Sequence, residues 1–107
     1  MSRYIFIESR DPFESRDTQF VEDTAIAVKE RGHEVVVFLV QNGVFAARKA
    51  ARCLEKLAEA GVMLLADDFS LRERGINTSD LASGVQESPL DALVDAITQE
   101  KTKVLWH

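Results

Sequence analysis

The sequence predicts a three-layer α/β domain, with a mainly parallel sheet of about five strands covered by helices on both faces. Three observations carry this expectation. Short apolar runs at Tyr4–Ile7, Val35–Val40, Val62–Ala66 and Val104–Trp106 alternate with amphipathic stretches along the whole chain. Most of these runs are apolar without a polar residue at every second position, as in strands buried on both faces. Gly32, Gly61 and Gln41-Asn42-Gly43 fall where one element must end and the next begin. With 107 residues there is room for a single domain over residues 1–107 and for a modest core.

The first strand spans Arg3 to Ile7, and Glu8 to Asp17, containing Asp11-Pro12, is a loop over its carboxyl end. Thr18 to Arg31 follows as a helix. It carries Phe20, Val21, Thr24, Ala25 and Val28 on one stripe and is stopped by Gly32. Glu34 to Val40 is the most hydrophobic run and the second strand. Val44 to Glu59 reads as a helix packed through Ala47, Ala50, Ala51, Leu54 and Leu57. Gly61 then leads into the third strand, Val62–Ala66. Asp67 and Asp68 cap a short helix running to Arg74, because carboxylates there accept the free N–H groups and suit the positive end of the helix dipole. Gly75 closes that helix in a left-handed conformation. Asn77 to Glu87 is a loop with a helical turn or brief strand around Val85. Ser88 as N-cap and Pro89 at the first helical position start the last helix, whose inward stripe is Leu90, Leu93, Val94 and Ile97. Lys103 to Trp106 closes the sheet, with Val104 and Trp106 on one face and Leu105 on the other.

Composition narrows the function. The 46% hydrophobic and 29% charged contents are those of a globular domain. A net charge of -5 disfavours nucleic acid and anionic membrane surfaces as partners. No signal peptide or spanning segment is visible, so a cytoplasmic protein is expected. Cys53 is the single cysteine, which leaves no internal disulfide and no Cys-x-x-Cys motif.

Ligands of open α/β sheets gather at the carboxyl ends of the strands, which directs attention to Asp67–Arg74. Asp67 and Asp68 could bind a metal, or one of them could act on a proton if burial raised its pKa. The reading as helix caps stands against this, and no metal or other cofactor is expected. Cys53 could be a nucleophile or sulfur carrier helped by Arg48, Lys49, Arg52 and Lys56. Its expected mid-helix place beside Ala50, Leu54 and Leu57 favours a buried, inert thiol. His33 and His107 have no partner at metal-ligand spacing and read as solvated. Ser9, Ser15 and Ser70 sit in no nucleophile motif, and Gly43 lacks the other glycines of a phosphate loop. A phosphate-receiver domain is excluded by placement, since Glu8 stands alone, Asp11 is displaced and Lys103 begins the last strand. Trp106, Leu105, Phe45 and Phe69 fit either the core or a subunit interface.

The order of elements, Glu30-Arg31-Gly32-His33-Glu34 before Val-Val-Val-Phe, the turn Gln41-Asn42-Gly43-Val44, Arg74-Gly75-Ile76 after the third strand and the closing Lys103-Val104-Leu105-Trp106 together resemble the DsrE/DsrF-like family of small sulfur-relay subunits. The resemblance spans nearly the whole chain. It implies a flavodoxin-like fold and assembly into homotrimers or hexamers, with sulfur-relay proteins as possible partners. Members that carry sulfur hold it as a persulfide on a cysteine just after the third strand. Counting back from Arg74-Gly75 places that position at Asp67, which cannot exchange thiols. The expectation is therefore an accessory or small-ligand-binding protein, its pocket lined by the Ser9–Phe13 loop, Asn42, Gly43, Asp67, Asp68 and Arg72. The alternative is an enzyme: a sulfurtransferase or carrier acting through Cys53, or a metal-assisted activity of Asp67 and Asp68.

Overall fold

The computed structural model describes residues 2–107. Its strands are β1 (Arg3–Glu8), β2 (Glu34–Leu39), β3 (Met63–Asp67), β4 (Val85–Ser88) and β5 (Thr102–Trp106), and the helices are α1 (Thr18–Glu30), α2 (Glu55–Glu59), α3 (Asp68–Glu73) and α4 (Leu90–Ile97). All neighbouring strands run parallel in the order β4-β3-β2-β1-β5. The expected flavodoxin-like architecture is what the chain adopts.

The period of two along each strand divides the core in two. Phe6, Val35, Val37, Leu39, Leu64 and Ala66 face α1, α2 and the segment between β2 and α2. Ile5, Ile7, Phe38 and Val40 face the other way and receive Leu93 of α4. A sheet buried on both faces needs strands without polar alternation, which accounts for the uninterrupted apolar runs. The chain walks outward from β1 through β2 and β3 to β4, then returns over the α4 face to place β5 on the opposite side of β1. The carboxyl ends of β1 and β5, where that direction reverses, are where ligands gather in open α/β sheets.

Four expectations about elements are corrected. The continuous helix over Val44–Glu59 is instead two 3-10 segments, Gln41–Ala47 and Lys49–Ala51, followed by the five-residue α2. Arg48 is extended, with φ -69 and ψ 135, and forms an isolated antiparallel bridge with Leu81. Arg52 is left-handed, with φ 56. Tertiary pairing thus overrides the local helical pattern, and Ala50 faces solvent. In α4 only Leu93 is buried, while Leu90, Val94 and Ile97 stand exposed on a helix that covers the sheet with one narrow face. Its start is one residue later than expected: Pro89 is the N-cap and Ser88 is the buried last residue of β4. Of the expected α1 stripe Val21 and Ala25 are buried, but Phe20 is exposed. The segment after Ile76, read as a loop with a helical turn or brief strand, holds a 3-10 turn at Thr78–Asp80 and the strand β4.

Candidate functional site

The carboxyl edge of the sheet is tied together by hydrogen bonds that no single element supplies. Asp67 caps α3: its Oδ2 accepts from the Ser70 N–H at 3.0 Å and from the Ser70 hydroxyl at 2.7 Å. The Ser70 Oγ in turn accepts the Gln41 N–H at 2.8 Å, joining the exits of β2 and β3. Gln41 adopts φ 50 to do so, an uncommon conformation for a residue with a Cβ. Arg74 continues the chain by donating from Nε to Asn42 Oδ1 at 3.0 Å and from Nη1 to the Ser70 carbonyl at 3.2 Å. Gly43 is pressed so closely on β1 that an added Cβ would lie 2.1 Å from the Glu8 carbonyl oxygen.

These contacts place the expected residues unequally. Ser9 and Asn42 share a polar depression of about 320 Å³ with Arg10, Asp11, Glu14 and Ser15. Gly43, Asp67, Asp68 and Arg72 do not line it. Asp67 is only 6% exposed, and its Oδ1 is buried without a hydrogen-bond partner within the chain. Asp68 is half-buried and faces the exposed Arg72 at 3.9 Å along α3, an ion pair of little energetic weight at a surface. Among the described residues no group of three or more His, Cys, Asp or Glu side chains converges as a metal site. The hydrogen-bonding groups that the sheet edge does bring together are those of Asp67, Ser70, Asn42 and Arg74.

A second, larger cavity of about 570 Å³ lies beneath the loop after β1, between α1 and α2. Its walls include Val37, Leu39, Leu54 and Leu57, and its polar residues include Glu8, Arg10, Arg16, Gln19 and Glu22. Cys53 also lines it. The break in the expected helix moves this residue into the turn before α2, half-buried, with its Sγ at 3.4 Å from the Ala51 carbonyl. The mid-helix placement is thus corrected. Burial pushes the thiol's pKa up, the Asp11 and Glu22 carboxylates act in the same direction and Arg48 opposes them. The thiol form is favoured at neutral pH, which makes it a weak nucleophile.

Sequence reasoning missed a buried ionisable pair at the end of β1. Glu8, 5% exposed at the end of β1, holds His107, whose Nδ1 lies 2.9 Å from Oε1 and 2.8 Å from Oε2. The Arg10 N–H donates to the same carboxylate at 3.1 Å. Residue 107 is fixed further by His107 N–H to Ile7 O and by Ser9 N–H to His107 O, both 2.8 Å. His107 is therefore a partner of Glu8 and not the freely solvated residue expected. The two stand 99 positions apart, and only the parallel pairing of β1 with β5 unites them. The available signal was that each ends or follows a strand of the same sheet.

The sequence profile described as the DsrE/DsrF-like family matches residues 2–106. The chain belongs to this family. Two solved structures share its fold: YchN from E. coli, with TM-score 0.85 and 21% identity over 98% of this chain and 100% of that one, and MTH1491 from Methanobacterium thermoautotrophicum, a protein of unknown function, with TM-score 0.79 and 23% identity over all of both chains. No curated protein matches the chain at the sequence level. Membership of this DsrE/DsrF-like family links the protein to sulfur relay. No helix among the described residues is long and apolar enough to cross a membrane.

Proposed function

We propose that this DsrE/DsrF-like chain is a cytoplasmic, homo-oligomeric accessory protein of sulfur relay that carries no persulfide at the exit of β3. It recognises a small ligand or a relay partner through the hydrogen-bonding edge around Ser9, Asn42, Gly43, Asp67, Asp68 and Arg72. One observation carries the reading: at the position where sulfur-carrying relatives are expected to present a thiol stands Asp67, its Oδ2 engaged by Ser70. A carboxylate has no thiol exchange to offer. Its Oδ1 is a buried acceptor with no partner within the chain, so a ligand donor reaches it only if the exits of β2 and β3 shift to admit it. Assembly as a trimer or hexamer is supported by the exposed Trp106, Leu105, Val104 and Phe69, since exposed aromatic and aliphatic side chains of this number suit an interface.

The half-buried Cys53 thiol on the wall of the larger cavity favours a second reading, a sulfurtransferase or carrier acting through Cys53. Incubation with inorganic polysulfide, followed by alkylation and mass spectrometry, separates the two. The accessory reading expects wild-type protein to emerge without sulfane sulfur. Wild-type protein that gains sulfane sulfur, with the gain absent from Cys53→Ser, would overturn it in favour of the carrier.

A further inference from the structure

We propose that the cavity of about 570 Å³ between α1, α2 and the loop after β1 binds a small amphipathic carboxylate, its head held by Arg10 and Arg16 and its aliphatic tail lying along Val37, Leu39, Leu54 and Leu57. The volume falls within the range of small-molecule sites, and the apolar wall with a few polar groups is the composition such sites share. The charges decide the sign of the head group. Arg10 and Arg16 are exposed and have no carboxylate within ion-pair distance among the described residues, unlike Arg3, Arg52, Arg72 and Arg74. The two acids on the same wall keep their charge, but each already holds a donor of this chain. Glu8 is held by the His107 ring and the Arg10 N–H, and Glu22 accepts from the Gln19 amide at 3.4 Å. Cys53, its thiol form favoured by burial, adds to the uncharged wall. The polar depression next door has no comparable apolar surface for a tail, being lined by Ser9, Arg10, Asp11, Glu14, Ser15 and Asn42.

The inference does not rest on the sulfur-relay reading, and its test does not involve sulfur transfer, so the two can fail separately. Sodium octanoate, titrated calorimetrically below its micelle concentration, is expected to bind at one site per chain. Affinity should fall about fourfold for each methylene removed on passing to hexanoate, the loss for a buried CH₂. The double variant Arg10→Gln/Arg16→Gln should weaken octanoate about tenfold and leave octanol unchanged. In wild-type protein, octanoate should shift the Leu54 and Leu57 methyl NMR signals, a readout that needs no variant to fold. Cys53→Phe, checked for folding by circular dichroism, should weaken both ligands by narrowing the cavity. Absence of saturable octanoate binding would overturn the proposal. So would octyltrimethylammonium binding as tightly as octanoate, or octanoate binding that the arginine variant leaves unchanged. Phosphatidylglycerol vesicles that sediment the protein while free octanoate fails to bind would assign the arginines to a lipid surface and likewise overturn it.

Discussion

Gly43 shows how a single atom can matter to this protein. Any side chain there must displace the Glu8 carbonyl, because a Cβ would lie 2.1 Å from that oxygen. The same carbonyl accepts the Val40 N–H at 3.0 Å, so the backbone has little freedom to retreat. Gly43→Ala should therefore lose about 2–3 kcal/mol or more, read as a fall in denaturation midpoint with an unchanged m-value. Cys53 yields a second prediction. Its pKa is raised, and alkylation requires the thiolate. The rate of reaction with iodoacetamide in the native protein should keep rising with pH beyond the point where a free cysteine levels off. In urea the profile should return to that of an ordinary thiol. Gly43 was legible in the sequence only as a turn residue. Its true constraint is contact with a strand 35 positions earlier, since Glu8 and Gly43 meet only once β1 and β2 have paired.

Among the elements, α3 depends most on one side chain. It has six residues, too few to persist alone, and the Asp67 carboxylate satisfies both the N–H and the hydroxyl of Ser70. Asp67→Ala should cost about 1–2 kcal/mol of stability while preserving the fold, measurable by thermal melting alongside an unchanged far-ultraviolet spectrum. Loss of ligand or partner binding in the same variant would support the proposed role of this edge. This cap and the closing turn at Gly75, with φ 66, were readable in the sequence because strand, acid, short helix and glycine follow one another locally. The helix over Val44–Glu59 was misread for the opposite reason. Its alanines and charges have helical spacing, but the pairing of Arg48 with Leu81 and the tight approach of Gly43 to β1 are contacts that no window of neighbouring residues contains.

At the scale of the whole molecule, the two faces of the sheet are unequally covered. One carries α1, α2 and the 3-10 segments, while the other has α4 alone, touching the core through Leu93 and Ala96. Leu90, Val94 and Ile97 remain exposed on α4, and Trp106 is 65% exposed on the edge strand β5. A single chain of this size rarely leaves so many large apolar groups to water. Light scattering coupled to gel filtration should give a mass several times 12.0 kDa. Val94→Asp and Trp106→Ala together should shift it toward the monomer with little loss of secondary structure, because neither side chain is part of the buried core. A wild-type protein that elutes as a monomer at all concentrations would remove the support these residues lend to oligomerisation.

The sequence by itself determined the layered parallel architecture, the places of β1, β2, β3 and β5 and the capped turn after β3, because each depends on residues close together in the chain: apolar runs, their period, and the glycines and acids that end them. Tertiary structure decided which strands are neighbours, that Glu8 meets His107, that Cys53 opens on a cavity and that α4 leaves an apolar stripe uncovered. Those facts follow from the return of the chain to the far side of β1, a step whose free energy is shared among contacts on several distant segments and is therefore written in no one of them.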